Sequence, residues 1–175
     1  MAPRARINPL ALDVGLYLLR TNTTGRRELV LFSDLQTTFC DTVTEFLEEA
    51  IAELKHLGYA ETTSVLSQPI RTVQPTNAMF LAFDLVATGN DTRADAVQVA
   101  GLWLENDGLR NVYELEKELG WEPRRLNPAL AALLPIFPKG RRSGELHPRL
   151  EVVFVLVTPD ERFQLRRIVD TGQVD

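Results

Sequence analysis

The stretch that decides the fold spans residues 112–142 and reads VYELEKELGWEPRRLNPALAALLPIFPKGRR. It begins with Val112–Leu119, which has apolar residues on one face at helical spacing, and a second apolar-periodic segment follows at residues 126–134. Gly120 lies between the two segments, as a glycine commonly does just past the end of a helix. Two helices joined by a tight turn that contains glycine are typical of a helix-turn-helix. Its predicted buried positions are all apolar: Leu115, Leu119, Leu126 and Leu130.

Positive charge is concentrated in the same stretch. Residues 123–142 contain no acid and five basic side chains: Arg124, Arg125, Lys139, Arg141 and Arg142. In a helix-turn-helix the N-terminal residues of the second helix contact base edges. Arginine reads guanine bidentately and asparagine reads adenine in the same way, so Arg124, Arg125 and Asn127 are candidate base contacts. The alternative interpretation is a surface helix with solvated arginines and no role in nucleic-acid binding.

The segment LGWEPRRLNPALAAL resembles the winged helix-turn-helix of bacterial regulators, and the resemblance covers only the C-terminal half of the chain. It implies three helices followed by a β-hairpin wing, with the second helix of the motif in the DNA major groove. Asn90 or Asp91 is predicted to begin the first of these helices, which continues to residue 104. Glu116 stands where this family carries a small residue.

The predicted wing consists of strands at residues 134–137 and 150–157 around a polar loop at residues 138–149. The second strand is rich in β-branched residues, which favour strands. The resemblance places the loop next to DNA, so it adds three residues to the predicted DNA-binding site. The complete site comprises Arg124, Arg125, Asn127, Lys139, Arg141 and Arg142.

Two local features leave alternatives open. Pro128 removes a hydrogen bond inside the second helix, so either that helix is kinked or it begins only at Asn127. In the second case Arg124 and Arg125 lie in the preceding turn and contact phosphates. Further on, Thr158 is either part of a hairpin turn or the N-cap of a terminal helix with a capping box. We favour the helix, because Thr158, Pro159 and Glu161 are three separate start signals.

In the N-terminal half, the pattern of apolar and turn residues predicts a small antiparallel sheet backed by one long helix. Residues 15–32 are interpreted as a β-hairpin, because two strand-like runs flank a turn with Asn22 and Gly25. Residues 35–57 form the long amphipathic helix. Two further strands are predicted at residues 63–73 and 78–86, with Asp84 on the solvent face of the second. The fold class is therefore α+β, with a sheet-plus-helix region at residues 1–88 and a winged helix-turn-helix at residues 89–175.

Composition and motifs narrow the class of protein. The chain has 175 residues, 45% hydrophobic residues and a net charge of −5, which fits a globular protein that does not bind polyanions broadly. No apolar run is long enough to span a membrane, and the N-terminus lacks the apolar region of a signal peptide. The single cysteine, Cys40, excludes an intrachain disulfide. We therefore expect a cytoplasmic protein.

No motif for catalysis occurs in the sequence. It contains no phosphate-binding loop, no dinucleotide-binding turn, no nucleophile elbow and no metal-ligand spacing. We therefore expect a non-enzymatic protein without a cofactor or a metal. The leading hypothesis is a sequence-specific DNA-binding protein, a dimeric transcriptional regulator that binds double-stranded DNA. The rival is a protein-interaction or assembly subunit that uses a winged helix to bind protein, because a fold does not determine a function.

The 35–57 helix is also the predicted site of self-association. Its apolar stripe includes Phe39, Val43, Phe46 and Ile51 and is wider than a small sheet covers. We therefore expect a homo-oligomer formed through this helix, with Ile51 at its interface. Cys40 borders the stripe and has no second thiol nearby, which predicts a buried, unreactive side chain.

Overall fold

A computed structural model describes residues 7–144 and 147–174. The fold is α+β, as predicted, with helices and small antiparallel sheets. The chain divides into two compact units. The first contains residues 7–22 and 27–88. The second contains the short segment Thr23–Arg26 and the residues from Gly89 onward.

The first unit has four helices and a three-stranded antiparallel sheet. Its elements are α1 (Pro9–Thr21), β1 (Val30–Leu31), α2 (Phe32–Thr38), α3 (Thr44–His56), β2 (Ala60–Val65), β3 (Gln68–Pro75) and α4 (Asn77–Thr88). The last strand lies in the middle of the sheet, in the order β1–β3–β2. Helices α3 and α4 both pack on α1. The hydrophobic core of this unit includes Leu18, Leu47, Ile51, Leu54 and Met79.

The second unit repeats this order of elements with shorter strands. Its elements are α5 (Thr92–Glu105), α6 (Val112–Leu119), α7 (Pro123–Leu133), β4 (Arg142–Ser143), β5 (Phe154–Val155) and α8 (Pro159–Thr171). Short 3-10 helices cover Asp107–Arg110, Leu134–Ile136 and Lys139–Arg141. Phe154 pairs with Ser143 and also bridges to Asn111, so the last strand again lies in the middle. Helix α5 packs on α7 and α8.

The predicted hairpin at residues 15–32 is wrong, because its first strand lies in helix α1, which ends at Thr21, and only Val30–Leu31 of its second strand is a strand. Asn8 caps this helix by accepting a hydrogen bond from the amide of Leu10, and Pro9 occupies its first turn. Asparagine followed by proline is a start signal for a helix. The apolar run that follows is buried at helical rather than alternating positions, including Ala11, Val14 and Leu18.

The single helix predicted at residues 35–57 is also wrong, because it is divided into α2 and α3. The chain turns between them, where the amide of Thr42 donates to the carbonyl of Phe39 at 2.8 Å. The apolar stripe is therefore divided between two helices. As a result Val43 and Phe46 are 55% and 58% exposed, whereas Ile51 is completely buried.

The strand predicted at residues 78–86 is helix α4, and the strand predicted at residues 63–73 is the hairpin formed by β2 and β3. Asp84 is buried rather than on a solvent face. The hydroxyl of Thr88, one helical turn away, lies 3.2 Å from its carboxylate. A buried acid is tolerated in an apolar helix when it has a hydrogen-bond partner one turn away, so Asp84 fits the interior side of helix α4.

The first predicted wing strand is wrong as well. Residues 134–136 form a 3-10 helix that contains Pro135, and the first strand is instead Arg142–Ser143, inside the predicted basic loop. The second predicted strand, 150–157, shortens to Phe154–Val155. The polar loop predicted at 138–149 includes two positions, 145 and 146, that lie outside the described residues.

Four local predictions in the C-terminal half are confirmed. Asp91 caps α5, and its carboxylate accepts from the amides of Arg93 and Ala94. Gly120 ends α6 in the left-handed conformation, with φ 62°. Thr158 and Glu161 form the capping box of α8. Helix α7 begins at Pro123 and continues through Pro128, so the choice between the two predicted starts is settled in favour of the earlier one.

Candidate functional site

Helix α7, the predicted recognition helix, is buried along most of its length. Every residue from Leu126 to Leu133 is buried. A recognition helix must leave one row of side chains free to enter the groove. Only the first turn of α7, with Arg124 and Arg125, keeps partly exposed basic side chains.

Asn127 lies inside the second unit and has no exposed surface. Its amide nitrogen donates to the carbonyls of Thr24 and Arg149 at 2.7 and 2.8 Å. Its amide oxygen accepts from the backbone amide of Glu151 at 2.8 Å. One side chain therefore connects α7 to two separate backbone segments. A side chain whose donors and acceptor are used in this way is not available to a base.

The segment Thr23–Arg26 passes directly against the first turns of α7. Gly25 adopts φ +71°, and a Cβ atom at that position would lie 2.4 Å from the carbonyl oxygen of Arg124 and 2.7 Å from Pro128. Only glycine fits such an approach. Pro128 has no N–H for the carbonyl four residues earlier, which is the carbonyl of Arg124. The proline thus leaves this carbonyl outside the helical hydrogen-bond pattern, at the place where the segment passes.

Arg125 points back to helix α5. It forms two hydrogen bonds to the carboxylate of Asp95, at 2.8 and 2.7 Å, and its guanidinium lies 4.0 Å from the ring centre of Trp121. The hydrogen bonds that Arg125 donates to Asp95 raise its pKa above the ordinary value. A bidentate pair with one buried carboxylate is geometrically specific and strong. Arg125 therefore fastens α7 to α5.

Arg141 and Arg142 are engaged in different places. Arg141 forms a salt bridge with Glu161, which has almost no exposed surface, and also donates to the hydroxyl of Thr158 at 2.9 Å. Arg142 donates to the carbonyl of Leu134 at 3.0 Å. Among the six predicted site residues, Lys139 is exposed and Arg124 is partly buried. The six therefore lie on α7 and on the segment after it, and four of them hold the second unit together.

Sequence reasoning missed the acidic partners of these arginines. Asp95 is 30 residues away from Arg125 in the sequence, and no local pattern connects them. Arg149 donates two hydrogen bonds to the carboxylate of Glu116, one from each terminal nitrogen of its guanidinium group. Glu161 is the exception, because its capping-box spacing identified it as the reciprocal acid at the start of α8, although not as the partner of Arg141.

The hydrogen bonds that Glu161 accepts make the stability of the second unit depend on pH. Burial raises the pKa of this carboxyl, but hydrogen bonds from Thr158 and Arg141 lower it by more. The resulting pKa is about 2, below the ordinary value of 4.5. A lowered pKa stabilises the fold above pH 4.5, and this stabilisation disappears as the pH falls towards 2. We expect Glu161→Gln to remove this acid-dependent loss, on the order of 2 kcal/mol. Unfolding free energies of the two proteins between pH 6 and pH 2.5 measure the difference, and parallel curves would contradict the assignment.

The first unit presents a different surface. The sequence of this unit, residues 1–22 and 27–88, contains ten acidic and six basic side chains, so it contributes −4 to the chain's net charge of −5. Helix α3 buries Leu47, Ala50, Ile51 and Leu54 and leaves its opposite side exposed. Exposed residues on that helix and just before it include two acids and two large apolar side chains: Val43, Glu45, Phe46 and Glu49.

Each unit also contains a shallow groove. The groove of the first unit, about 330 Å³, lies between the beginnings of α2 and α3 and the beginning of β3. The groove of the second unit, about 220 Å³, lies between α8 and the 3-10 helix at Leu134–Ile136. Within residues 7–144 and 147–174, no three His, Cys, Asp or Glu side chains are grouped closely enough to hold a metal ion.

Cys40 is exposed, which corrects the prediction of a buried thiol. It lies in the turn between α2 and α3, and that turn is absent from the continuous helix on which the prediction depended. An exposed cysteine reacts with small reagents whenever its thiolate forms. We expect complete labelling by a maleimide at neutral pH without denaturant, measured by mass spectrometry, and none in Cys40→Ser. Labelling that requires denaturant would contradict this position.

No helix in the described part of the chain is both long and apolar enough to cross a membrane. Comparison with known proteins identifies no relative: no family model, no curated protein and no solved structure matches this chain.

Proposed function

We propose that this protein is a non-enzymatic protein-interaction or assembly subunit built from two winged-helix modules, one in each unit. Two features support this architecture. Both units have the order helix, strand, helix, helix, strand, strand, helix, with Asn111 as the first strand position of the second unit. In both, the last strand pairs with the other two. The predicted winged helix of the C-terminal half thereby becomes one of a pair.

The single observation that carries the proposal is the state of the two helices that would serve for recognition. In the second unit α7 is buried, and Arg125 and Asn127 make internal contacts. In the first unit the corresponding helix, α3, is exposed on one side but acidic. Nucleic-acid affinity depends on basic residues that displace counterions from phosphates, so an acidic helix favours a protein partner instead.

DNA binding is the second candidate function. The observation that favours it is the acid-free sequence from residue 123 to residue 142, with Lys139 exposed. A bound duplex would have to be held mainly through phosphate contacts by Arg124 and Lys139, because the amide of Asn127 is committed to the backbone. Such binding would be weak in sequence preference and strong in its dependence on salt.

A binding assay with mixed duplex fragments over a range of salt concentrations tests the choice. We expect no salt-dependent binding at low ionic strength. We also expect a partner protein to co-purify with the full chain from its native cells after nuclease treatment. Duplex binding that weakens with salt, and that is reduced in Lys139→Ala, would overturn the proposal in favour of DNA binding. A partner that is lost with nuclease would point the same way.

A further inference from the structure

We propose that the outer face of α3, defined by Val43, Glu45, Phe46 and Glu49, binds a basic amphipathic segment of another protein. This inference rests on the proposed function, because it gives the interaction subunit a surface and a class of partner. The partner segment supplies apolar side chains for Val43 and Phe46 and cations for the two glutamates.

The apolar part of the surface consists of side chains that the first unit does not use. Phe46 is 58% exposed and Val43 is 55% exposed, although Leu47, the residue after Phe46, is buried in the core. On a helix, Phe46 and Glu49 are three residues apart and therefore neighbours on one side. A large aromatic side chain at such a position gives a partner a contact of large area at low cost in conformational entropy.

The charge of the surface selects the partner. Glu45 and Glu49 are four residues apart on α3, so they are neighbours, and both are exposed. The unit that carries them contains ten acids and six bases, a net charge of −4. A polyanion is repelled by such a surface, whereas a cationic segment is attracted to it and oriented by it. An apolar contact bordered by acids is therefore complementary to a segment that mixes lysine or arginine with leucine-like residues.

A second copy of this chain fits the surface poorly. A two-fold symmetric dimer places the same patch of each subunit against itself. The patch contains no basic side chain, so Glu45 and Glu49 of one copy would find no cation in the same patch of the other copy, and unpaired like charges in an interface are unfavourable. This replaces the predicted homo-oligomer through residues 35–57, whose central residue, Ile51, is buried in its own unit.

The test uses the full chain and three labelled synthetic peptides of about 15 residues, long enough to form an amphipathic helix on binding. In the first, leucines recur at helical spacing on one face and lysines occupy the other face. In the second, glutamate replaces lysine, and in the third, serine replaces leucine. Fluorescence anisotropy at about physiological salt, which screens non-specific attraction, measures the affinities. We expect the leucine–lysine peptide to bind at least about tenfold more tightly than either of the others.

Variants with matched controls locate the binding site. Phe46→Ser and the double change Glu45→Lys with Glu49→Lys should each weaken binding of the leucine–lysine peptide by about tenfold or more. The controls make the same changes on exposed residues of the second unit: Phe163→Ser, and Glu114→Lys with Glu118→Lys. They should change the affinity by less than about twofold. Phe46→Leu keeps an apolar side chain and should restore most of the binding.

Several outcomes would overturn the inference. Equal losses in the α3 variants and their controls would mean that the peptide responds only to net charge. Equal binding of the leucine–glutamate peptide would remove the charge argument, and concentration-dependent dimerisation abolished by Phe46→Ser would make a second copy the occupant. If the co-purified partner persists with the α3 variants, the inference fails while the proposed function stands. If duplex DNA is bound instead, the proposed function itself fails.

Discussion

Replacing Asn127 by alanine is expected to destabilise the second unit by roughly 3 kcal/mol, because three partly buried backbone groups lose their hydrogen-bond partner and each costs about 1 kcal/mol, the lower end of the range for an unsatisfied group. The groups are the carbonyls of Thr24 and Arg149 and the amide of Glu151. A loss of this size is a large fraction of the stability of a small domain. Chemical denaturation followed by circular dichroism measures it, together with hydrogen exchange of the α7 amides.

Lys139→Ala is the matched surface change, since Lys139 belongs to the same predicted site and is exposed. We expect it to change the stability by no more than about 0.5 kcal/mol. The pair of variants distinguishes two roles for Asn127. If Asn127→Ala were as stable as Lys139→Ala but altered the preference for a DNA sequence, Asn127 would be a base contact rather than an internal connector.

Replacing Ile51 by glutamate is expected to unfold the first unit. Ile51 has no exposed surface and lies in a core formed by Leu18, Leu54 and Met79. An isolated carboxylate in apolar surroundings costs several kcal/mol or more, even when it becomes protonated. If Ile51 lay at the predicted dimer interface, the substitution would dissociate the dimer. Because Ile51 is buried in its own unit, the substitution disrupts the core instead. Hydrogen exchange of the α1 and α3 amides should therefore become rapid.

Ala52→Glu is the control for this change, because Ala52 is the next residue on α3 and its side chain is exposed. It adds the same charge to the same helix without burying it, so we expect an effect within about 0.5 kcal/mol. Size-exclusion chromatography with light scattering completes the comparison. A folded monomer of Ile51→Glu, obtained from a wild type that is a dimer, would restore the self-association hypothesis.

The success of sequence reasoning differed between the two halves for identifiable reasons. In the C-terminal half, the helix ends carried side chains that bond within three residues, such as Asp91 and Thr158, and these predictions are confirmed. In the N-terminal half, the run from Gly15 to Arg20 looked strand-like because it is continuously apolar. A short apolar run does not distinguish a buried strand from a buried helix. The pair Asn8–Pro9 was the signal that would have decided it.

The predicted DNA-binding site differs from the structure for another reason. A basic residue in a sequence has no visible partner, so Arg125, Arg141 and Arg142 looked available for phosphate or base contacts. The structure pairs Arg125 with Asp95 and Arg141 with Glu161. An arginine already held by a buried carboxylate must break that pair before it contacts DNA, which costs more than the contact of a solvated arginine.

By itself, the sequence determined the fold class and the helix ends of the C-terminal half. Helix caps, Gly120 after α6 and the period of the apolar residues act over a few positions, because their hydrogen bonds and contacts form within one or two turns. Only the tertiary structure decided which side chains remain free. Asn127 meets Thr24 across 103 positions, and the break between α2 and α3 exposes Phe46. Such pairings depend on how distant segments pack, and a hydrogen-bonding or apolar side chain has no preference for one distant partner until that packing exists.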